Sequence, residues 1–384
     1  MQAVLSRCVP DIGSVATVLL AGGRGTRLHE LTEAEAKPAI HFAGSHRIVD
    51  FAMANIVRSG LQRLLVATQF APHTLAAHIP LHWGSHFSPG SLLVRDGRDA
   101  YRGTADAVRR NWPVLVESGA EEILVLAADH VYAMDYAQLI QAHRAARAEV
   151  TVAVDVVPQA EAREFGVMQA DRSGRIVSFR EKPADPPAII GEPGFSMASM
   201  GVYVFSRCWL DAALADDDAL DFGHHLIPRA VADGVAMAYR LPASPETGRA
   251  YWRDVGTLDA LRLTQLDFAE ALPVPLPDAA DAHSWRFGRD SVLMPGASVS
   301  RFVRLARAIV SPGAHLPPGL VVGEDPVEDR RWFRRTEGGT VLVTPAMLQR
   351  RAQLRPRKTL VALRSVSPTA LGARLRPALD NPNA

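Results

Sequence analysis

A glycine-rich segment after the first apolar run carries the residues best suited to phosphate chemistry. The stretch "LLAGGRGTRL" places Gly22, Gly23 and Gly25 directly after a predicted strand, and Arg27 and Lys37 add positive charge. Glycines let a backbone turn closely around a ligand, so that its N–H groups surround an anion. The segment lacks the third glycine of a dinucleotide fingerprint, and the sequence has no P-loop motif. It therefore predicts a nucleoside triphosphate held by another kind of loop.

Two aspartates far apart in sequence could hold a metal ion beside these phosphates. Asp129 in "LAADH" and Asp254 in "YWRDVGT" each stand where a strand is expected to end. Mg²⁺ is commonly bound by one or two carboxylates together with substrate phosphates. The alternative is a pair of capping or surface aspartates, which the spacing alone favours. Lys182 in "EKPA" is a candidate point charge for a second phosphate, or else part of an exposed turn.

Three histidines suggest a second metal site, but the residues between them argue against it. His78, His82 and His86 are spaced four residues apart, as ligands on one helix face would be. Pro80 and Gly84 are expected to interrupt any helix that would align them. The sequence therefore favours no metal site at these histidines.

Length and composition predict a globular protein of two or three domains. The chain has 384 residues, of which 48% are hydrophobic and 22% charged. It has no apolar stretch of the roughly 18 residues that would span a bilayer, and its two cysteines give no disulfide or zinc pattern. We expect a cytoplasmic protein without a membrane or nucleic-acid partner. Residues 349–384 hold eight cations and one anion, which predicts a basic, disordered tail.

Apolar runs alternate with longer mixed segments over the first 272 residues. Such alternation predicts a mostly parallel sheet with helices on both faces, and ligands at the carboxyl ends of its strands. The predicted strands are Val15–Ala21, Leu64–Thr68, Ile123–Ala127, Val150–Val157, Gly201–Phe205 and Ala236–Leu241, and helices are expected at Met134–Ala148 and Leu258–Leu272. A proline-rich linker follows at 273–290. Small and branched residues then recur about every six positions in 291–348, which predicts a short parallel β-helix of fewer than two full coils.

Taken together, these segments resemble one family closely. The stretches "LLAGGRGTRL", "AKPAIHF", "RIVDFAMANIVRSG", "YRGTADAVRRN", "LAADHVYAMDY", "DFGHHLIP" and "YWRDVGT" occur in the order typical of bacterial glucose-1-phosphate adenylyltransferases, also called ADP-glucose pyrophosphorylases. The resemblance implies a Rossmann-like nucleotidyltransferase domain at 1–272 and a truncated left-handed β-helix at 291–348. It also implies Mg²⁺, the substrates ATP and glucose 1-phosphate, and a homo-oligomer.

The resemblance also implies roles for particular residues of this chain. Catalysis would rest on Arg27, Asp129, Lys182 and Asp254, with Asp129 and Asp254 as the metal ligands. ATP would contact Gly22, Gly23, Gly25, Thr26, Arg27, Lys37, Gln69, Gly103 and Thr104. Glucose 1-phosphate would contact Tyr101, Gly166, Glu181, Lys182 and Ser199. His41 and Arg47 would contact AMP or another anionic effector.

The chain departs from the family pattern at its regulatory positions. Family members regulated by fructose 1,6-bisphosphate and AMP carry a Lys-Arg pair where this chain has Ala34 and Glu35, and Pro312 replaces an arginine that contacts AMP. We therefore expect regulation by both effectors to be weakened or altered. Two other functions stay open from the sequence: a transferase that uses another nucleotide, and a non-catalytic regulatory paralogue.

Overall fold

The computed structural model describes residues 12–98, 100–117, 119–243, 248, 250–277 and 285–354. Within them the strands are β1 (Val15–Ala21), β2 (His41–Phe42), β3 (His46–Arg47), β4 (Leu64–Thr68), β5 (Leu92–Asp96), β6 (Glu122–Ala127), β7 (His130–Tyr132), β8 (Val150–Pro158), β9 (Gly166–Ala170), β10 (Ile176–Glu181), β11 (Phe195–Ser206), β12 (Ala236–Arg240), β13 (Trp252–Asp254), β14 (Arg286–Phe287), β15 (Ser291–Leu293), β16 (Ser298–Val299), β17 (Arg304–Leu305), β18 (Ala308–Val310), β19 (His315–Leu316), β20 (Val321–Val322), β21 (Arg334–Arg335) and β22 (Val341–Val343).

In the described residues, helices alternate with the strands over the first 270 positions, and two further helices lie in the C-terminal part. They are α1 (Val49–Arg58), α2 (His73–Trp83), α3 (Thr104–Glu117), α4 (Tyr136–Ala146), α5 (Arg207–Leu214), α6 (Ile227–Ala232), α7 (Leu258–Glu270), α8 (Pro326–Trp332) and α9 (Pro345–Leu354). In the described part of the chain, no helix is both long and apolar enough to cross a bilayer.

A nine-stranded sheet forms the centre of the first domain. Its strands run in the order β10-β9-β11-β6-β1-β4-β5, and β8 lies between β11 and β12. Strands β6, β1, β4 and β5 are mutually parallel, whereas β11 is antiparallel to each of its neighbours. One apolar core beneath α1, α2 and α4 covers one face, and a second beneath α3, α5 and α6 covers the other. This is the α/β/α fold that the sequence predicts.

The bounds of the predicted strands and helices agree with the structure where burial determines them. They differ where a cap or a register shift determines them. β1 and β4 have the predicted bounds, because buried parallel strands are continuous apolar runs. β11 begins at Phe195 rather than at Gly201, because Phe195–Ser199 also pair with β8. A register shift between Ser199 and Tyr203 separates this part from the predicted strand. Helix α4 is shorter than predicted: the Asp135 side chain caps its start, and Arg147 ends it in a left-handed conformation.

Three stacks of short strands form the second domain, a left-handed β-helix. Residues 17 positions apart pair in parallel on each face, for example Val292 with Ile309, Ser298 with His315 and Arg304 with Val321. The two coils are therefore complete, because each needs only 17 residues. A third strand, β22, then pairs with β18 on one face after the chain has passed through α8. The domain has more stacked strands than the sequence predicted.

An apolar layer joins the two domains. Leu258, Leu261 and Phe268 of α7 share one buried cluster with Trp285 and Val292. Helix α7 thus covers one side of the β-helix, and residues of the predicted linker take part in the core.

The predicted linker and tail are only partly described. Of 273–290, residues 273–277 and 285–290 are described, and Arg286–Phe287 pair with β15 as β14. Helix α9 extends to Leu354, so the first residues of the predicted tail are helical. The rest of the predicted disordered tail, 355–384, lies outside the described residues.

Candidate active site

A cleft of about 440 Å³ opens at the carboxyl ends of β1, β4 and β6. The segments that follow these strands line it, as expected for ligand sites in open α/β sheets. Eight residues predicted from the sequence are among its walls: Gly22, Gly23, Gln69, Tyr101, Gly103, Thr104, Asp129 and Glu181. Segments separated by more than 150 positions in the chain therefore meet at one cavity.

The glycine loop leaves β1 and forms one rim of the cleft. A Cβ on Gly23 would face only Asp129, with its Oδ2 4.0 Å away, so the backbone is open to a ligand at this point. Gly25 has a φ of 63°, and a Cβ there would lie 2.7 Å from the Cβ of Lys37. Glycine is required at this position for both reasons. Thr26 begins the short 3₁₀ helix that follows and is exposed.

Lys37 and two aspartates form a buried ionic group beside the loop. The Lys37 ammonium lies 3.1 Å from Asp129 Oδ2 and is in hydrogen-bond contact with Asp254 Oδ1. Lys37 is only 4% exposed, so it does not reach into the cleft as the sequence predicted for a phosphate ligand. Asp129 follows β6 and Asp254 ends β13, and the Lys37 side chain connects the two carboxylates.

The pKa values of this group reflect the competition between burial and pairing. Burial opposes the charge on Lys37, but the carboxylates of Asp129 and Asp254 outweigh it and raise the pKa of the ammonium. Burial likewise opposes the charge on Asp129, yet the Lys37 ammonium and His130 hold the pKa of that carboxyl well below its usual range. Both groups are therefore ionised at neutral pH.

Arg27 lies at the exposed mouth of the same ionic group. Its Nη1 is 2.6 Å from Glu164 Oε2, and its Nη2 is 3.6 Å from Asp254 Oδ2. The guanidinium is about half exposed, so an incoming anion can reach it. A Cβ on Gly256 would lie 2.8 Å from Nη2, so any other residue there would have to displace the guanidinium.

Glu181 lies on the opposite wall of the cleft, between two glycines. A Cβ on Gly166 would come 2.9 Å from Glu181 Oε2, and one on Gly223 would come 2.5 Å from the same atom. Burial is the main cause that raises the pKa of Glu181, and the nearby charges of Lys182 and His224 oppose it. A half-buried carboxylate at the end of β10 is well suited to accept hydrogen bonds from hydroxyl groups.

Lys182 and Ser199, which the sequence assigned to the same ligand, do not line the cleft. Lys182 is exposed and has a φ of 45°, which points to a tight turn directly after β10. Ser199 is buried, with its hydroxyl 3.2 Å from that of Tyr203, and Tyr203 is the residue that lines the cavity.

Hydrogen bonds hold together the part of the cleft that Gln69, Tyr101 and Thr104 line, and Gln69 lies beside Gly22 of the glycine loop. Gln69 Nε2 donates to the backbone carbonyl of Tyr101 at 2.7 Å, and the Tyr101 hydroxyl accepts from Asn111 at 2.9 Å. Thr104 donates its hydroxyl proton to Asp221 Oδ2 at 2.8 Å, so this threonine is engaged with a carboxylate in this structure. The Gln69 and Tyr101 loops thus form one connected surface.

Sequence reasoning missed several residues of the cleft and its ionic group, among them Asp221, Tyr203 and His130. Asp221 caps the π-helical turn Phe222–Leu226 by accepting from Gly223 N and His224 N, and it lines the cavity. The sequence signal for Asp221 is the stretch "DFGHHLIP", which resembles the family but does not by itself indicate what the aspartate does. Tyr203 also lines the cavity. His130 follows Asp129 directly, and its Nε2 lies 3.6 Å from Asp129 Oδ1.

The predicted effector residues lie outside this cleft, on the β2–β3 hairpin. His41 pairs with Arg47 across the hairpin. Arg47 Nη1 is 3.6 Å from Glu35 Oε2 and also donates to the carbonyl of Ala39. Thr74 donates to Glu35 Oε1 at 3.4 Å. Burial, with the charge of Arg47, lowers the pKa of His41 to about 4.

The arrangement of His78, His82 and His86 agrees only partly with the sequence prediction. Pro80 does not interrupt the helix, because α2 continues through it to Trp83, and the rings of His78 and His82 lie 4.2 Å apart. His78 Nε2 is 2.7 Å from Asp50 Oδ1, which fixes the ring in an ion pair or hydrogen bond. In the described part of the chain, the one group of three or more acidic or histidine side chains close enough to share a metal is Asp129, His130 and Asp254.

Comparison with known proteins agrees with this architecture. A family model described as nucleotidyl transferase matches residues 16–270, more than half of the chain. A second model, described as the GlmU-like C-terminal hexapeptide, matches residues 276–343 and agrees with the β-helix. A glucose-1-phosphate adenylyltransferase of Granulibacter bethesdensis is 38% identical, over 88% of this chain and 97% of its own length.

The chain belongs to the glucose-1-phosphate adenylyltransferase family. Relatives with the same name from Gemmatimonas aurantiaca and Cereibacter sphaeroides are also 38% identical, covering 86% and 87% of this chain and 96% of their own length. Because these relatives match over both domains, the family resemblance read from the sequence motifs is confirmed.

Proposed function

We propose that this chain transfers the adenylyl group of ATP to glucose 1-phosphate, giving ADP-glucose and pyrophosphate for α-glucan synthesis. One observation carries the proposal. Asp129 and Asp254 converge on Lys37 at the edge of a cleft that the glycine loop and Glu181 line from opposite sides. Such a cleft suits two phosphate esters that must approach each other. The relatives named above carry the name of this activity.

The two walls of the cleft support a division between the substrates. The triphosphate would lie along Gly22, Gly23 and Gly25, within reach of Arg27, with the base toward Gln69. The sugar phosphate would lie on the Glu181 side, where the carboxylate accepts hydrogen bonds from sugar hydroxyls. Lys182 follows Glu181 and is exposed, so its ammonium is free to meet the sugar phosphate.

The reaction itself needs positioning rather than a protein nucleophile. A phosphate monoester, with a second pKa of about 6, is largely a dianion at neutral pH. One of its oxygens forms a bond to the α-phosphorus of ATP, and the bond from that phosphorus to the bridging oxygen of the β-phosphate breaks. Pyrophosphate leaves with the electron pair, and no proton has to move. Arg27 and the glycine loop hold the phosphates, which lowers the entropic cost of alignment.

The charges of the ionic group fit a site for Mg²⁺. The two cations Arg27 and Lys37 face three carboxylates, those of Asp129, Asp254 and Glu164. This set carries a net charge of −1, so these five side chains do not by themselves neutralise a triphosphate. Asp129 and Asp254 would hold the metal ion, which is bound by oxygen ligands of this type and neutralises phosphate charge when present.

Regulation by fructose 1,6-bisphosphate and AMP would be weak in this chain. Arg47 is the permanent cation at the predicted effector position, and Glu35 already lies 3.6 Å from it. His41 adds no charge at neutral pH, because its pKa is about 4. An anionic effector would therefore meet a site already occupied by a carboxylate. Assembly as a homo-oligomer and a cytoplasmic location stay predictions.

The proposal is tested by pyrophosphate release from purified full-length protein. ATP, UTP, dTTP and the other nucleoside triphosphates are each supplied with glucose 1-phosphate and Mg²⁺, with and without metabolite effectors. We expect ADP-glucose from ATP at a far higher rate than any other product. Asp254→Asn should lower kcat strongly, whereas Asp217→Asn, in an exposed loop, should leave it unchanged. A folded wild-type protein that forms no ADP-glucose under any of these conditions would refute the proposal.

A further inference from the structure

His130 belongs to the ionic group by backbone register as well as by side-chain distance. Strand β7 pairs antiparallel with β13, and His130 stands directly opposite Asp254. His130 Nε2 lies 3.6 Å from Asp129 Oδ1 and 4.0 Å from Asp254 Oδ1. One ligand atom from each of the three residues lies within 4.8 Å of the others. The histidine thus faces both carboxylates at once.

The other nitrogen of the ring determines what Nε2 presents to the carboxylates. His130 Nδ1 is 3.1 Å from the backbone carbonyl of Met200, and a carbonyl oxygen can only accept, so Nδ1 carries a proton. With Nδ1 engaged in this way, Nε2 is the ring nitrogen that faces the two carboxylates, and its lone pair is the one that a metal ion could bind. Histidines that bind metals commonly donate their second ring N–H to a carbonyl in this way.

The ring is also held in this orientation by an aromatic neighbour. Trp252 meets it edge to face, with ring centroids 5.2 Å apart. A ring fixed by a hydrogen bond and an aromatic contact is pre-organised to bind, since little freedom remains to be lost.

We propose that His130 Nε2 is a third protein ligand of the divalent cation held by Asp129 and Asp254. The inference rests on the proposed function, which places the cation at these carboxylates. The Lys37 ammonium now lies between the two aspartates, which marks the position as one that favours positive charge. An imidazole ligand gives the site a preference that two carboxylates lack: Mn²⁺ and Co²⁺ accept nitrogen readily, whereas Mg²⁺ favours oxygen.

Pulsed electron paramagnetic resonance of bound Mn²⁺ tests the ligand directly. The full-length protein is labelled with ¹⁵N-histidine and loaded with Mn²⁺ and a non-transferable ATP analogue. We expect a ¹⁵N coupling of a directly bound imidazole in the wild type. It should disappear in His130→Gln, which keeps an N–H group for the Met200 carbonyl, and persist in His315→Gln, which changes an exposed histidine of the β-helix.

Equilibrium binding gives a second measurement on the same variants. His130→Gln should weaken Mn²⁺ binding by about tenfold or more, as loss of a first ligand or its support does, and Mg²⁺ binding by about threefold or less. The Mn²⁺ preference of the site therefore falls. If His130 had only a structural role, its substitution would change Mn²⁺ and Mg²⁺ binding alike and leave the ratio of the two affinities unchanged.

The outcomes separate this inference from the proposed function. A wild-type spectrum without ¹⁵N coupling, or a coupling that survives in His130→Gln, overturns the role of His130 and leaves the aspartate site intact. Mn²⁺ binding that is unchanged in Asp129→Asn overturns the cation site itself and the His130 ligand with it. The wild-type spectrum decides the question even if a variant fails to fold.

Discussion

Removal of the charge on Glu35 should restore anion binding at Arg47. The substitution Glu35→Gln keeps the size of the side chain and its contact with Thr74, but abolishes the ion pair. At 3.6 Å two unit charges interact by roughly 4–5 kcal/mol at an effective dielectric of 20. Because Glu35 is one-third exposed, solvent screening reduces this to about 1–2 kcal/mol.

This interaction energy predicts how much the substitution changes the affinity for fructose 1,6-bisphosphate. About 1.4 kcal/mol corresponds to a tenfold change in affinity. In the wild type the effector must displace the carboxylate from Arg47 and then remain near it. We therefore expect a weak or absent response in the wild type, and in Glu35→Gln a half-maximal effect at a concentration about five- to thirtyfold lower, as about 1–2 kcal/mol implies.

The assay is a titration of initial pyrophosphate-release rates at subsaturating ATP, paired with calorimetric binding of the same effector. Glu33→Gln is the matched control, because it removes an equally charged but exposed side chain two residues away. Glu35→Asp keeps the charge and should behave like the wild type. Strong activation of the wild type at micromolar effector would refute the reasoning, as would identical binding to the wild type and Glu35→Gln.

Four further predictions concern substrate binding, domain packing and pH. Lys182→Ala should raise KM for glucose 1-phosphate far more than KM for ATP, since the contact proposed for Lys182 would be made in both the ground and the transition state. Gly223→Ala should also raise that KM, because its Cβ would lie 2.5 Å from Glu181 Oε2 and displace the carboxylate. Arg262→Leu should lower the free energy of unfolding in urea by about 2–4 kcal/mol, as two buried hydrogen-bond acceptors lose their donor. The pKa of His41 is about 4 when folded, below its ordinary value, so stability should fall by about 2 kcal/mol from pH 7 to pH 5, and less in His41→Gln.

Matched controls for these four variants are available in the chain. The control for Gly223→Ala is Gly84→Ala, which adds a methyl group where no atom lies within 4 Å. The control for Lys182→Ala is Arg180→Ala, which removes an exposed cation two residues away. Arg304→Leu breaks only an exposed pair with Glu324 in the β-helix. His315→Gln removes an exposed histidine. Equal effects in a variant and its control would contradict the corresponding mechanism.

The sign of the His41 prediction follows from the two protonation states. Burial and the charge of Arg47 disfavour the imidazolium in the folded chain. Between pH 6.5 and 4 the unfolded chain therefore binds more protons than the folded one, and stability rises with pH over this window. A stability difference between pH 7 and pH 5 that is the same in His41→Gln would show that other groups account for it.

The sequence was sufficient for the features that burial and backbone chemistry decide. β1 and β4 were predicted to the residue, because a strand buried on both faces must be an unbroken apolar run. The structure explains the glycine of this loop at Gly25, where a Cβ would lie 2.7 Å from the Cβ of Lys37 on a backbone with positive φ. The ends of α4 and β11 were not predicted well, because a capping side chain and a bulge decide them, and neither changes the apolar pattern.

Partners of charged residues could not be predicted, and this is where the sequence reasoning was incomplete. The sequence identifies Lys37 and Arg47 as cations suited to anions, but their partners come from other segments. Asp254 lies 217 positions from Lys37, and no local pattern records that they meet. Glu35 was recognised as a lost cation, yet the structure adds that it pairs with Arg47 itself.

The same physical logic applies to both cations and links catalysis to regulation. A cation held by carboxylates binds an anion only if something else neutralises those carboxylates or the anion displaces them. At the Lys37 group a divalent cation bound by Asp129 and Asp254 would offset the charge of both carboxylates beside the cleft. At Arg47 the carboxylate of Glu35 stays paired with the guanidinium, and His41 adds no positive charge at neutral pH. We therefore expect the catalytic site to be activated by divalent cations and the effector position to stay closed to anions until Glu35 is changed.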